Sequence, residues 1–395
     1  MQNMPQLDAL FQAAAKRQQI PGVVAIAASD SEIIYEGAFG KRDLGKPEAM
    51  TLDSVVWIAS MTKAITAAGA MQLVEQGKLQ LDEPVGPLIP ELASLQVLDG
   101  FDENGTPKLR PAKKPVTLRH LMTHTSGFCY DMWNADMSRY IEAAGLPRVI
   151  SCEKKALTAP LASEPGTRWE YGIGIDFVGQ AVEAASGKRL DAYLRDNIFA
   201  PLGMSDTGFK LGEDQRRRLV GMHARQPDGT LTPMPFELPQ DPEFHMGGGG
   251  LYGTAHDYVR FIRMLLNKGT LDGNRVLKAE TVATMGENHI GDLNMGKMNA
   301  AIPQVTNDVD LYPDQDKKWG LSFMINTQRT AEGRSAGSLA WAGLANTYYW
   351  LDPTRNVGGV ILTQLFPFAD TKVLELFSGF ERAVYDKLDG LKRAA

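Results

Sequence analysis

Residues 54–83, SVVWIASMTKAITAAGAMQLVEQGKLQLDE, decide the fold, and Ser60-Met61-Thr62-Lys63 lies at their centre. Val55 to Ala59 is apolar, and no charge occurs from Ala64 to Val74, so the stretch predicts a helix buried almost all round. A serine at the mouth of such a helix has its own N–H among the unpaired donors of the first turn. A lysine three residues on lies one turn away on the same face, within reach of the serine oxygen. Burying an ammonium among apolar groups is costly, and the cheaper outcome is an amine with a lowered pKa. A neutral amine beside a serine hydroxyl is a nucleophile with its base. The bare pattern recurs at Ser151-Cys152-Glu153-Lys154. That copy lies in RVISCEKKALTAP, short and charged, so Lys154 is expected to be solvated.

Working outward, residues 5 to 18 carry Leu7, Leu10, Phe11 and Ala14 at helical spacing, and Pro21-Gly22 ends the helix. Gly22 to Ala28 and Ile33 to Phe39 read as strands joined by Ser29-Asp30-Ser31, a hairpin too tight to be anything but antiparallel. At the other end Leu339 to Ala342, Thr347 to Leu351 and Val357 to Leu365 read as strands, with a turn at Asp352-Pro353-Thr354 and a helix from about Thr371 to Leu388. Strands at both ends imply one antiparallel sheet built from both termini and covered by the terminal helices. The expected class is α/β (α+β). Residues 1–80 and 311–395 would form the sheet domain and 81–310 a mostly helical inserted domain, with the active site between them. Asp99 to Pro115, polar and without periodicity, is expected to be a loop.

The 395 residues suffice for a large core, and 44% hydrophobic with 22% charged residues is ordinary for a soluble protein. A formal net charge of −6 argues against nucleic acid as a partner. Cys129 and Cys152 make no disulfide framework, the start MQNMPQLDALFQ lacks the pattern of a signal peptide, and no apolar run approaches a membrane span. The expected location is cytoplasmic.

Thr117 is placed to cap a short helix and Gly127 to end the turn after it. His120 and His124 are four apart, but without the Glu of H-E-x-x-H they are expected to pack a turn rather than bind zinc. Gly247 to Gly250 is not followed by G-K-[ST], so a close-packed loop beside a site is expected, not a phosphate cradle. Tyr171, between Glu170 and Gly172 and just ahead of a helix, could present its hydroxyl to a cleft and shuttle a proton, given a cation to lower its pKa. Gly333-Arg334-Ser335-Ala336-Gly337 fits G-x-S-x-G, but the last histidine of the chain is His289, so Ser335 has no downstream base.

Ser60 to Lys63, His120 to Gly127, Pro165-Gly166 ahead of Tyr171, Pro201-Leu202-Gly203-Met204 and Gly248 to Gly253 occur in this order. Together they resemble the serine β-lactamase and penicillin-binding-protein superfamily over nearly the whole chain, closest to the class C β-lactamase-like family VIII carboxylesterases. The resemblance implies a β-lactamase-like fold with Ser60 as acylated nucleophile, Lys63 as general base and Tyr171 as the tyrosine of Y-x-N. Here Tyr171-Gly172-Ile173 lacks the asparagine, and Trp341-Ala342-Gly343 stands where the family has K-T-G. Both departures favour an esterase over a lactamase. The N–H groups of Ser60 and Leu344 would form the oxyanion hole, with Trp341, Ala342, Gly343, Tyr130 and Tyr252 around the substrate. Trp57, Phe128 and Trp133 also flank the motifs. The function implied is hydrolysis of carboxylic esters of small to medium acyl chains, with no metal or cofactor and a small-molecule ester as partner. The alternatives are a β-lactamase or D-amino-acid peptidase or amidase, and a penicillin-binding sensor without turnover.

Overall fold

The computed structural model describes residues 4–394. The first helix, α1 (Pro5–Lys16), starts with a proline in its first turn and buries Leu7, Phe11 and Ala14, a stripe at three- and four-residue spacing. The hairpin strands are β1 (Gly22–Ala28) and β2 (Ile33–Gly40), paired antiparallel from Gly22↔Gly40 onward. The distal strands are β3 (Lys317–Trp319), β4 (Met324–Asn326), β5 (Leu339–Gly343), β6 (Thr347–Asp352) and β7 (Val357–Leu362). All seven form one antiparallel sheet in the order β3-β4-β5-β6-β7-β1-β2. The join between the chain's two ends is the β1–β7 pair, with Val24 opposite Leu362 and Ile26 opposite Val360. Every residue of both strands is buried, as expected for the middle of a sheet covered on both faces.

Alternation along β6 shows what covers each face. Tyr348 and Trp350 pack on Phe377 of the last helix, α5 (Thr371–Ala394), and α5 also meets α1. Tyr349 points the other way, onto Tyr258 of α4 (Ala255–Leu266), which lies across β7 and β1. The stretch expected to be an insertion thus supplies a helix to the sheet. The turn Ala59–Met61 meets β5 and β6 and leads into α2 (Thr62–Glu75), which packs on α3 (Gly174–Ser186). From Thr62 to Leu73 every residue of α2 is buried, as the uncharged sequence predicts.

Residues 81–310 hold most of the short helices and also contain strands. The expected loop of 99–115 is corrected by a hairpin, Gln96–Phe101 with Pro107–Pro111. Its turn is tied by Asp102, whose carboxylate accepts from the N–H groups of Asn104 and Thr106, and by Gly105 at φ +82°. Only Val97 and Leu98 are buried, so most of the hairpin is solvated and its sequence shows no apolar period. Thr117 caps the helix Leu118–Met122 by accepting from the N–H of His120, as expected. Cys129 and Cys152 are buried free thiols. Among the described residues no helix is long and apolar enough to cross a membrane.

Candidate active site

The turn Ala59–Met61 leads directly into α2 and holds Ser60, which stays partly exposed although its neighbours are buried. Ala59 takes φ +46°, a left-handed conformation that costs about 1–3 kcal/mol in a residue other than glycine. Surrounding bonds fix this turn. The carbonyl of Met61 accepts from the hydroxyl of Tyr258 on α4 at 3.0 Å, and the Thr62 hydroxyl accepts from Leu251 N–H at 3.1 Å. Strand β5 closes against it from the other side. A Cβ at Gly343 would overlap the carbonyl oxygen of Ile58 and the hydroxyl of Thr347, so only glycine allows this approach.

Lys63 is fully buried on the first turn of α2. Its Nζ lies 3.0 Å from Ser60 Oγ, 2.9 Å from the Tyr130 hydroxyl and 2.6 Å from the Gly248 carbonyl oxygen. As an ammonium it donates to all three. As a neutral amine it donates to the Gly248 carbonyl and to Tyr130, and its lone pair faces the hydroxyl of Ser60. Burial pulls its pKa down to about 7, against an opposing pull from the Asp176 carboxylate. Asp176, in the first turn of α3, is itself raised to about 6 by burial, offset by Lys63 and by the Gly248 N–H.

Tyr171 is presented by a segment with its own supports. Its carbonyl accepts from Tyr130 N–H at 3.0 Å, and the carbonyl of His124 accepts from Glu170 N–H at 2.7 Å. His124, at φ +57°, also accepts from Gly172 N–H through Nδ1 at 3.4 Å and packs its ring 4.6 Å from that of Tyr171. Gly172 has no room for a Cβ, which would overlap the backbone of Phe128 and Cys129. The Tyr171 hydroxyl accepts from the indole N–H of Trp341 at 2.9 Å, and both this donor and the nearby Ser60 hydroxyl act to lower its pKa. The expected drop in its pKa does not occur. Burial raises it and outweighs both of these neighbours, so Tyr171 is a neutral hydroxyl at ordinary pH.

The run Gly247 to Gly250 closes the site from behind. Gly247 accepts from Thr66, Gly248 from Lys63, and Gly249 from the indole of Trp57 at 2.7 Å. Side chains at Gly247 and Gly248 would press on Ile175 and Asp176 respectively, which explains the composition of the loop. Ser60 opens onto a pocket lined by Met132, Trp133, Val149, Ile150, Met246 and Leu344, together with Trp57 and Tyr130. None of the lining side chains carries a formal charge.

The residues named from sequence separate into three groups. Ser60, Lys63, Tyr171 and Tyr130 come together, and Leu344 lines the pocket beside them. Trp341 is buried behind Tyr171 and touches its hydroxyl instead of the pocket, while Ala342 and Gly343 lie on β5 outside the pocket lining, Gly343 against Ile58 and Ala59. Tyr252 falls outside the site: it is buried in a short pairing with Trp57, and its hydroxyl accepts from Leu238 N–H. The second S-x-x-K is outside too, with Lys154 exposed. Ser335 lies on the turn between β4 and β5, next to Arg334, which is buried against Glu381 of α5. Asp176, His124 and Gly248 were not among the residues singled out for the site. The signal for Asp176 is a lone carboxylate inside the apolar run Gly172 to Val182.

The sequence from residue 7 to 377 matches the Beta-lactamase family model. The chain belongs to the beta-lactamase family. Within that family it is 31% identical to the ML-236A carboxylate methylbutanoyltransferase of Penicillium citrinum, over 97% of this chain and 94% of that one. It is also 31% identical to the lovastatin esterase of Penicillium rubens, over 98% of this chain and 99% of that one. A simvastatin synthase variant from Aspergillus terreus has the same fold, with a TM-score of 0.86 and 31% identity over 98% of this chain and 97% of that chain. Acyltransferases and an esterase thus stand together among the relatives of this beta-lactamase-family enzyme.

Proposed function

We propose that the protein is a serine carboxylesterase acting through an acyl-Ser60 intermediate on esters of small to medium, uncharged acyl groups. The observation that carries this reading is the buried Lys63 amine 3.0 Å from Ser60 Oγ, poised to lose its proton near neutrality. Ser60 Oγ passes its proton to Lys63 Nζ and bonds to the ester carbonyl carbon, whose electron pair moves to the carbonyl oxygen. The N–H groups of Ser60 and Leu344 stabilise that oxyanion. On collapse the ester C–O bond breaks, and the departing oxygen takes up the proton that Lys63 Nζ accepted from Ser60, with the Tyr171 hydroxyl sharing in its transfer. Water then repeats the sequence in reverse and frees the acid. The apolar, uncharged pocket supports a neutral acyl group. The absent Y-x-N asparagine and the Trp341 in place of a lysine leave a β-lactam carboxylate and side chain without those partners.

A second reading is supported by the names of the relatives, several of which are acyltransferases. An alcohol that enters in place of water takes the acyl group from Ser60 by the same steps. Hydrolysis of p-nitrophenyl esters of increasing acyl length, with and without an added alcohol and with nitrocefin in parallel, separates the readings. Short esters are expected to be cleaved much faster than nitrocefin, and Ser60→Ala to lose at least about a thousandfold in kcat/KM. Activity is expected to fall as the pH is lowered through about 7, because protonated Lys63 cannot accept the serine proton. A Ser60→Ala enzyme with full activity would refute the reading, and an ester product dominating in alcohol would assign transfer.

A further inference from the structure

We propose that Asp176 is a positioning residue for acyl transfer: its buried carboxylate anchors Gly248, whose carbonyl oxygen holds Lys63 Nζ, and supplies the negative charge behind that amine. This inference rests on the reading of Lys63 as the base for Ser60. The geometry is a two-step link. Asp176 Oδ1 accepts from Gly248 N–H at 2.8 Å, and the other face of the same residue offers its carbonyl oxygen to Lys63 at 2.6 Å. The contact leaves no space for alternatives, since a Cβ on Gly248 would lie 2.9 Å from Asp176 Oδ2.

The carboxylate is poorly served for a purely structural group. It is completely buried, and Oδ2 has no hydrogen-bond partner. An apolar side chain of similar size would fill the same space without the cost of desolvating a charge. Three features favour its ionised form: the protonated Lys63 nearby, the Gly248 N–H that it accepts from, and the positive end of α3, in whose first turn it sits. The groups facing this pair are Lys63 on α2, Tyr130 and Tyr171 on the adjoining segments, and Cys152 and His124 nearby. Burial keeps the tyrosines and Cys152 protonated and His124 neutral at working pH, so Asp176 is the one anion acting on Lys63 in this group. Its charge opposes the effect of burial and keeps Lys63 basic enough to take a serine proton.

Asp176→Asn and Asp176→Ala separate positioning from charge. Asparagine keeps an oxygen for the Gly248 N–H and removes the charge. The rate of p-nitrophenyl ester hydrolysis is measured from pH 5 to 10 for wild type, both variants and Ser60→Ala, with thermal unfolding of each. With Asp176→Asn the acidic limb of kcat/KM is expected to move down by about one pH unit, because the amine loses its anionic neighbour. The plateau is expected to fall, since a less basic amine is a weaker base. With Asp176→Ala the plateau is expected to fall further, by about a hundredfold from wild type, as Lys63 loses its anchored acceptor. An Asn limb that superimposes on wild type overturns the charge role, and an Ala plateau equal to the Asn plateau overturns the positioning role. A Ser60→Ala enzyme that remains active overturns the base reading instead. If Asp176→Ala does not fold, comparing the Asp176→Asn and Asp176→Glu profiles decides the matter: a limb restored by Glu supports the charge role and one left at the Asn position overturns it.

Discussion

The indole of Trp341 can only donate, so the hydroxyl of Tyr171 accepts from it and keeps its own proton for the departing oxygen. That donor also favours the electron-rich state of the phenol oxygen at the moment a proton leaves it. Trp341→Phe removes the donor while keeping an aromatic ring against Trp319 and Tyr171. The variant is expected to lose about tenfold in kcat, equivalent to one ordinary hydrogen bond, with KM and Tm nearly unchanged. Steady-state kinetics and a melting curve test this, and an unchanged kcat would return Trp341 to a packing role. At this scale the sequence is informative where one local pattern contains the chemistry. Ser60 and Lys63 lie one turn apart on an uncharged helix, so their contact follows from spacing alone. Asp176 reaches Lys63 only through a peptide from a third element, and no local spacing encodes that. Tyr130 is named from sequence as a cleft aromatic, yet its bond to Lys63 depends on how the turn of residues 124–131 folds back.

Strand β5 and the turn at Ser60 are held at contact distance by one missing side chain. Gly343→Ala would set a Cβ against the Ile58 carbonyl, which is backbone and cannot swing aside as a side chain end does. The strand must then retreat, and Leu344 moves away from Ser60 with it. The expected result is a loss of about a hundredfold or more in kcat/KM and about 1–3 kcal/mol in stability, measured by ester hydrolysis and urea unfolding. Wild-type kinetics in the variant would mean that the strand is not part of the catalytic wall. Apolar or periodic stretches bounded by turn signals are legible in the sequence, among them β1, β2, β5, β6, β7 and α1, whereas β3 and β4, three residues each, are too short to be named from it. The 96–111 hairpin is not legible either, because prolines end its second strand and charged residues fill its solvated face, which hides the alternation. Tyr252 shows the same limit in reverse. Its position beside the glycine run suggests a cleft, but pairing with Trp57 turns it into the core.

In the molecule as a whole, α5 is fastened to the sheet by more than apolar contact. Arg334 and Glu381 form an ion pair in which both partners are essentially inaccessible, and the Arg334 guanidinium stacks near Tyr312, Trp350 and Phe377. Neither partner is bonded to Ser60, Lys63 or Tyr171, so loss of the pair should register in stability and not in chemistry. Arg334→Met leaves Glu381 buried without its partner and is expected to cost about 3–5 kcal/mol in urea unfolding, with kcat/KM near wild type at 25 °C. Adding Glu381→Leu is expected to recover much of that loss, and a silent single variant would show the pair to be dispensable. The overall architecture is legible because strands at both termini must share a sheet. The role of α4 is less so, since an amphipathic helix in mid-chain carries no sign of which layer it will cover.

The β1–β7 junction also has a consequence for how the protein is made. Ser60 and Lys63 emerge early in synthesis, while β5, β6 and β7 come from the last part of the chain. At synthesis rates of about 5–20 residues per second, the helix bearing Ser60 waits on the order of tens of seconds for the strand that completes its wall. Until then Leu344 and Trp341 do not exist beside it, and β1 lacks its partner. If Ser60 is the nucleophile, ester hydrolysis by ribosome-bound chains is expected only once the final strands have emerged and joined the sheet.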